Sequence, residues 1–234
     1  MKKFLFFLSF LLCSVTLPAR NPITVGVLGG SLSVNPESQA AKDIWRRQLG
    51  VKVYDYGVGG AGFSSLQGHT LQQQAREAGV HDVYILWAST NDYNGQRECG
   101  TWRDYTALDG YDESRLTTQC GGINYCIRTL LEKNPRATIV FFTSLRFFSR
   151  DDGHNPFSTA TNSTGLNFAD YVAAQRDCCR HYAIPVFDQF ELQGINDFNY
   201  PLYYLSDQLH MNEDGYRFIG QRQAAFLRQY LPRK

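Results

Sequence analysis

Three side chains in the sequence combine types and spacings that suit nucleophilic catalysis. Ser31 follows two glycines at the end of an apolar run, and a serine hydroxyl can attack an acyl carbon once a base removes its proton. Asp207 and His210 are three residues apart, so the carboxylate can hold Nδ1 of the imidazole and leave Nε2 free to take that proton. The pattern predicts acyl transfer with Ser31 as nucleophile, His210 as base and Asp207 as its orienter.

The run before Ser31 predicts how the serine is positioned. Residues 23–28 are short, continuous and rich in β-branched side chains, as is typical of a strand buried on both faces of a parallel sheet. Ligands of such sheets gather beyond the carboxyl ends of the strands. We therefore expect Ser31 to lie at that edge of the sheet.

Strand and helix patterns alternate along the rest of the chain. Further strands are predicted at 51–56, 83–88, 138–143 and 185–187, and helices at 36–49, 64–78, 123–133, 166–182 and 213–230. The alternation favours a three-layer αβα sandwich with a central, mostly parallel five-stranded sheet. Its predicted core consists of the apolar strand residues Ile23, Val25, Val27, Val53, Val83, Ile85, Leu86, Ile139, Val140 and Phe141.

Residues 93–122 break the alternation. They repeat glycine, tyrosine and charged residues without periodicity, so we expect a long loop or lid inserted in a single domain. Trp102, Tyr105 and Tyr111 in this segment are candidate substrate-binding residues. Their rings could stack on a sugar or an acyl chain, or could pack the loop itself.

The first 20 residues have the pattern of a secretory signal peptide. Two lysines precede an apolar run, and small residues near Ala19 predict the cleavage site. The run is short for a membrane span, so no transmembrane segment is expected once it is removed. Leu12 precedes Cys13 where a lipobox has a small residue, which argues against a lipid anchor. Residues 21–234 are then expected to form one exported domain, periplasmic or extracellular.

Charge narrows the class of partner. The 23 basic residues nearly balance 22 acidic ones, and neither sign forms long blocks, which gives no support to a nucleic-acid or polyanion partner. We expect a small-molecule or carbohydrate ester as substrate and no cofactor. The sequence leaves the oligomeric state open.

The cysteines predict a disulfide bond that holds the irregular segment at 93–122. Export permits disulfides, and the residues after Cys13 include an odd number of cysteines, so at least one has no partner within the chain. We expect Cys99 to pair with Cys120 or Cys126, because these residues bracket the irregular segment and a bridge would hold it together. No CxxC or paired histidines accompany them, so no metal site is predicted.

Four blocks of the sequence resemble, in the same order, those of the SGNH or GDSL-type hydrolases. The blocks are residues 29–33, the glycine turn at 57–62, residues 89–92 and residues 207–210. The resemblance covers essentially the whole mature chain and implies a flavodoxin-like fold and cofactor-free esterase chemistry. It supports the triad above and implies an oxyanion hole built from the Ser31 N–H, the Gly60 N–H and the Asn91 side-chain amide.

The chain departs from the pattern of that family at three positions. Gly30 replaces the aspartate of GDSL, Asp55 stands where asparagine is usual, and Ser89 replaces the glycine of GxND. None of these changes removes a catalytic atom.

The expected function is that of an exported serine esterase. It would act through an acyl-enzyme intermediate, with a short acyl ester such as an acetyl group on a carbohydrate as substrate. A lipase, lysophospholipase or thioesterase of the same family, an acyltransferase with the same triad, and a non-catalytic carbohydrate-binding protein stay open as alternatives.

Overall fold

A computed structural model describes residues 21–65, 69–149 and 155–232. The predicted signal peptide and Cys13 lie outside these residues. Within them, parallel strands form one five-stranded sheet in the order β2-β1-β3-β4-β5. The strands are β1 Thr24–Gly29, β2 Lys52–Asp55, β3 Val83–Trp87, β4 Thr138–Phe142 and β5 Val186–Phe187. The expected three-layer αβα architecture is thereby confirmed.

Helices cover both faces of the sheet. They are α1 Ser31–Val34, α2 Gln39–Leu49, α3 Leu71–Glu77, α4 Asn91–Asn94, α5 Gln119–Lys133, α6 Phe168–His181, α7 Gln189–Leu192, α8 Tyr200–Tyr203 and α9 Glu213–Leu227. Short 3₁₀ turns occupy Pro36–Ser38, Ala107–Asp109 and Glu113–Thr117. In the described ranges, no helix has the length and apolar character needed to cross a membrane.

The core has one apolar layer on each side of the sheet. Helices α2 and α9 cover one face, where Trp45 packs against Trp87 with ring centroids 5.9 Å apart. Helices α3, α5 and α6 cover the other face. The strand residues predicted as core are buried, except that Ile23 and Val53 are only partly buried. Val53 is only partly buried because β2 is an edge strand, which has a neighbouring strand on one side only.

Most predicted boundaries shift by one to three residues, and two segments differ by more. The helix expected over 64–78 begins only at Leu71. The loop expected over 93–122 is shorter, because α5 already begins at Gln119. Two glycines in the first turn of α5 favoured a loop, but the Thr118 hydroxyl caps the helix by accepting from Gly121 N–H at 3.0 Å, and that turn is buried.

Candidate active site

Ser31 lies at the carboxyl end of β1, at the switch point of the sheet. The chain leaves β1 for β2 on one side and pairs with β3 on the other, so a crevice opens between the ends of β1 and β3. Ser31 begins α1 directly after Gly30. Its Oγ lies 2.9 Å from His210 Nε2, and His210 Nδ1 lies 2.6 Å from Asp207 Oδ2. The structure thus brings the three predicted residues into one hydrogen-bonded chain.

Hydrogen bonds to backbone groups fix the conformation of the loop that carries Asp207 and His210. Asp207 Oδ1 accepts from the N–H groups of Leu209 and His210, both at 3.0 Å. Gln208 has φ +57°, a left-handed conformation that is uncommon outside glycine, and its carbonyl accepts from Phe148 N–H at 2.7 Å. These bonds set the direction of the imidazole before any ligand is present.

Hydrogen bonds also control the charge of Asp207. Partial burial of the carboxyl acts to raise its pKa, but the bonds from the His210 side chain, His210 N–H and Leu209 N–H outweigh it. The pKa of Asp207 is therefore lowered from its usual value. An ionised carboxylate at this position favours the imidazole tautomer that carries its proton on Nδ1 and leaves Nε2 as the acceptor.

The predicted oxyanion residues lie on either side of β1. The glycine turn follows β2, and Val58 N–H donates to Gly29 O at 3.0 Å, which joins the turn to the strand that carries Ser31. Gly60 has φ +81°, a conformation that L side chains rarely adopt. Asn91 begins α4 after β3, and its Nδ2 donates to Ala61 O at 2.8 Å. The Asn91 amide and the glycine turn are thus in direct contact.

Two of the departures noted in the sequence face each other in this region. Ser89 Oγ accepts from Asn91 Nδ2 at 3.0 Å and donates to Ala61 O at 2.8 Å. A Cβ atom at Gly30 would lie 3.0 Å from the Ser89 Cβ and 2.5 Å from Ala61 O. The absence of a side chain at residue 30 therefore leaves room mainly for the Ala61 carbonyl, and Ser89 borders the same space.

Two buried polar side chains near the site had no assigned contact from the sequence. Asp92 accepts from Phe63 N–H at 2.7 Å and Ser64 N–H at 2.8 Å, and its burial raises its pKa. Gln74 holds Gly29 at both backbone atoms, accepting from its N–H at 2.9 Å and donating to its carbonyl at 3.0 Å. Gln74 stands in a run of three glutamines, so spacing alone could not distinguish it.

The candidate substrate-binding aromatics pack against the helices. Trp102 lies with its ring centroid 5.0 Å from that of His181, and Tyr105 lies 5.4 Å from Tyr125. The Tyr111 ring covers the Arg128 guanidinium at 3.9 Å. Arg128 is nine residues into α5, about 13 Å from the start of that helix. Among the described residues, no contact joins these rings to the triad.

The predicted disulfide is not formed. The described cysteines are free thiols, and all are buried: Cys99, Cys120, Cys126, Cys178 and Cys179. Cys126 is six residues beyond Cys120, which turns it to a different side of α5. Cys99 and Cys120 do meet, since Cys120 N–H donates to Cys99 O at 3.0 Å, and interaction with the Cys120 thiol together with burial raises the pKa of Cys99. In the described part of the chain, no cluster of three His, Cys, Asp or Glu side chains could hold a metal ion.

Comparison with known proteins agrees with this architecture. Among solved structures that share the fold, a Lactobacillus plantarum protein has a TM-score of 0.73 and 21% identity, with 91% of this chain and 100% of that chain covered. A possible lipase from Chitinophaga pinensis has a TM-score of 0.66 and 20% identity, with coverages of 89% and 98%. A Clostridium thermocellum family 3 carbohydrate esterase has a TM-score of 0.57 and 14% identity, with coverages of 90% and 98%. No curated protein matches the sequence. The family model for GDSL-like lipases and acylhydrolases matches residues 23–218, which is most of the chain. The chain therefore belongs to the GDSL-like lipase/acylhydrolase family.

Proposed function

We propose that the protein is an exported serine esterase that hydrolyses a short acyl ester, such as an acetyl group on a carbohydrate. The observation that carries the proposal is the hydrogen-bonded chain from Ser31 Oγ through His210 to Asp207, with distances of 2.9 and 2.6 Å. Its ends come from opposite termini of the sequence, so local folding alone does not explain their meeting. Residues 1–20 act as the signal peptide, and residues 21–234 form the single catalytic domain.

The reaction proceeds in two halves. Ser31 Oγ attacks the acyl carbon while its proton passes to His210 Nε2, and Asp207 stabilises the imidazolium that forms. The imidazolium then returns this proton to the departing alcohol oxygen as the bond between that oxygen and the acyl carbon breaks. Water attacks the acyl-serine in the second half, with its proton taken by His210. The imidazolium then gives that proton to Ser31 Oγ as the bond between Oγ and the acyl carbon breaks, which releases the acid and restores the Ser31 hydroxyl.

The oxyanion hole uses donors from three loops. The Ser31 N–H, the Gly60 N–H and Asn91 Nδ2 stabilise the negative charge that develops on the acyl oxygen, and losing one such donor typically costs about 100- to 1,000-fold in turnover. In the free protein the Asn91 amide donates to Ala61 O and to Ser89 Oγ. The acyl oxygen competes with these acceptors as it becomes an anion.

A polar cavity beside the catalytic loop supports a carbohydrate as the alcohol part of the ester. The cavity has a volume of about 370 Å³ and is lined by one proline and otherwise by polar and aromatic side chains: Arg146, Phe148, Asn155, Pro156, Phe157, Glu191, Asn196 and Asp197. Phe148 adjoins the loop, since its N–H donates to Gln208 O at 2.7 Å. Sugars suit such linings, because hydroxyls bind charged and amide groups while ring faces pack on aromatic rings.

The labelling of the nucleophile tests the mechanism. A fluorophosphonate probe, followed by peptide mapping, is expected to modify Ser31 and no other residue. Ser31→Ala is expected to remove the label, whereas Ser33→Ala, which removes the other hydroxyl of α1, is expected to keep it. Label on a different serine, or none in the folded protein, would refute the assignment.

Substrate and product analysis tests the proposed acyl specificity and the choice between hydrolysis and acyl transfer. We expect turnover of p-nitrophenyl acetate and release of acetate from acetylated xylan, with much slower cleavage of p-nitrophenyl palmitate. A preference for the long chain would favour a lipase, and transfer of acetyl to an added sugar in place of water would favour an acyltransferase. Secreted protein that begins near residue 20 would support the signal peptide.

A further inference from the structure

Lys42 is a fully buried lysine close to the active site. Its side chain on α2 has 0% exposure, and its Nζ donates both to the Asp55 carboxylate and to the Ser33 carbonyl. Lysine is almost never fully buried without a partner, because removing its charge from water is costly. The contacts of Lys42 therefore compensate the cost of burying its charge, and none of them takes part in the proposed reaction.

The two partners of Lys42 belong to the two sides of the proposed oxyanion hole. Ser33 lies two residues after the nucleophile in α1, a helix of only four residues. Asp55 is the last residue of β2, directly before the segment that contains the glycine turn. Lys42 thus joins the helix that holds the Ser31 N–H to the strand that leads to the Gly60 N–H.

Helix α1 and the glycine turn are also packed in close contact with each other. A Cβ atom at Gly57 would lie 2.6 Å from Ser33 Oγ and 2.4 Å from Val34 Cγ1. Small movements of α1 are therefore transmitted to the turn. Stability alone is a weak reason for such an ion pair. The desolvation of Lys42, together with the partial desolvation of Asp55, which is 28% exposed, can exceed their attraction, and an apolar pair of similar volume is often as stable.

Asp55 is the member of the pair on the side of the glycine turn, because it ends β2 directly before that segment. We propose that Lys42 and Asp55 are positioning residues that clamp α1 to the glycine turn and so set the spacing of the Ser31 and Gly60 N–H donors. The proposal rests on the proposed function, since it assigns the clamp to the same oxyanion hole.

Three variants and one control test the clamp through kinetics. Asp55→Asn, Lys42→Met and the double variant all break the link, so each is expected to lower kcat for p-nitrophenyl acetate by roughly 10- to 100-fold, since displacing reacting groups by about 1 Å costs about 100-fold. KM is expected to change little. Asp43→Asn removes a carboxylate from an exposed ion pair with Arg46 on the same helix and should leave kcat unchanged.

Thermal denaturation separates positioning from a purely structural role. Burial lowers the pKa of Lys42 and Asp55 opposes that shift, so Asp55→Asn strands a buried amine and should lower Tm most. The double variant removes both charges and should recover much of that Tm while kcat stays low. Recovery of kcat together with Tm in the double variant would show that the pair is structural only and overturn the proposal.

Amide hydrogen exchange tests the clamp without relying on any activity. Peptides covering residues 29–35 and 56–62 should exchange faster in the double variant than in the unmodified protein or in Asp43→Asn, because these segments lose their common anchor. Unchanged exchange in both segments would overturn the clamp. A protein that hydrolyses no ester yet shows the faster exchange would instead refute the proposed function and retain the clamp.

Discussion

A methyl group at residue 30 would enter a crowded part of the site. Its Cβ would lie 2.5 Å from Ala61 O and 2.9 Å from Asn91 Nδ2, whereas real Cβ atoms essentially never approach closer than 3.0 Å. Gly30→Ala must therefore separate residue 30 from the Ala61 carbonyl by about 0.5 Å or more, which is the gap between those two distances. Ala61 O accepts hydrogen bonds from Ser89 and Asn91, so this movement disturbs the Asn91 amide.

The size of the effect follows from that displacement. A misplacement of about 1 Å costs about 100-fold in rate, so half of it is expected to lower kcat by roughly 10-fold, or about 1.4 kcal/mol of activation free energy. Overpacking of this kind is also expected to reduce the free energy of unfolding by about 1–3 kcal/mol.

Steady-state kinetics with p-nitrophenyl acetate and urea unfolding measure both quantities. Gly59→Ala is the matched control in the adjoining turn, because a Cβ there has no atom within 4 Å and the residue does not have positive φ. It should behave like the unmodified protein. The reasoning fails if Gly30→Ala retains full kcat and stability, or if Gly59→Ala is equally damaging.

Two further changes have defined outcomes. Asp207→Asn keeps an oxygen for the backbone N–H groups but favours the wrong tautomer of His210, so kcat should fall by about 10⁴-fold with little change in Tm; a loss below tenfold would contradict the assigned role. The described cysteines are buried, and burial raises the pKa of the Cys126 and Cys179 thiols. Ellman's reagent at pH 8 should therefore label none of them in the folded protein and all five in guanidinium chloride, whereas fewer in denaturant would reveal a disulfide.

The strands and the meeting of the triad residues could be predicted from the sequence because both depend on local signals. Continuous apolar runs indicate buried parallel strands, and the carboxyl ends of those strands share one edge. Ser31 stands at such an end, and the spacing of Asp207 and His210 suits one turn of chain. Their distances in the structure agree with that expectation.

The irregular segment could not be positioned in the same way. Its aromatic residues have no periodicity, and their neighbours, Arg128 and His181, are supplied by helices whose relative position is a tertiary property. Lys42 illustrates the same difficulty within a regular helix. Its polar type predicts a solvent-facing position, and partners outside its helix, the Asp55 carboxylate and the Ser33 carbonyl, make burial of its charge tolerable.

The Ser31–His210 contact also has a consequence for folding order. The two residues are 179 positions apart, and closing a loop of that length costs about 5 kcal/mol of chain entropy. Helix α9, which follows His210, packs on α2, and Tyr216 OH donates to Leu32 O at 2.8 Å. Ser31 therefore meets His210 only when the C-terminal helix docks onto the N-terminal part of the chain. Esterase activity should therefore return during refolding only when α9 docks on α2, and folding intermediates with an undocked α9 should be inactive.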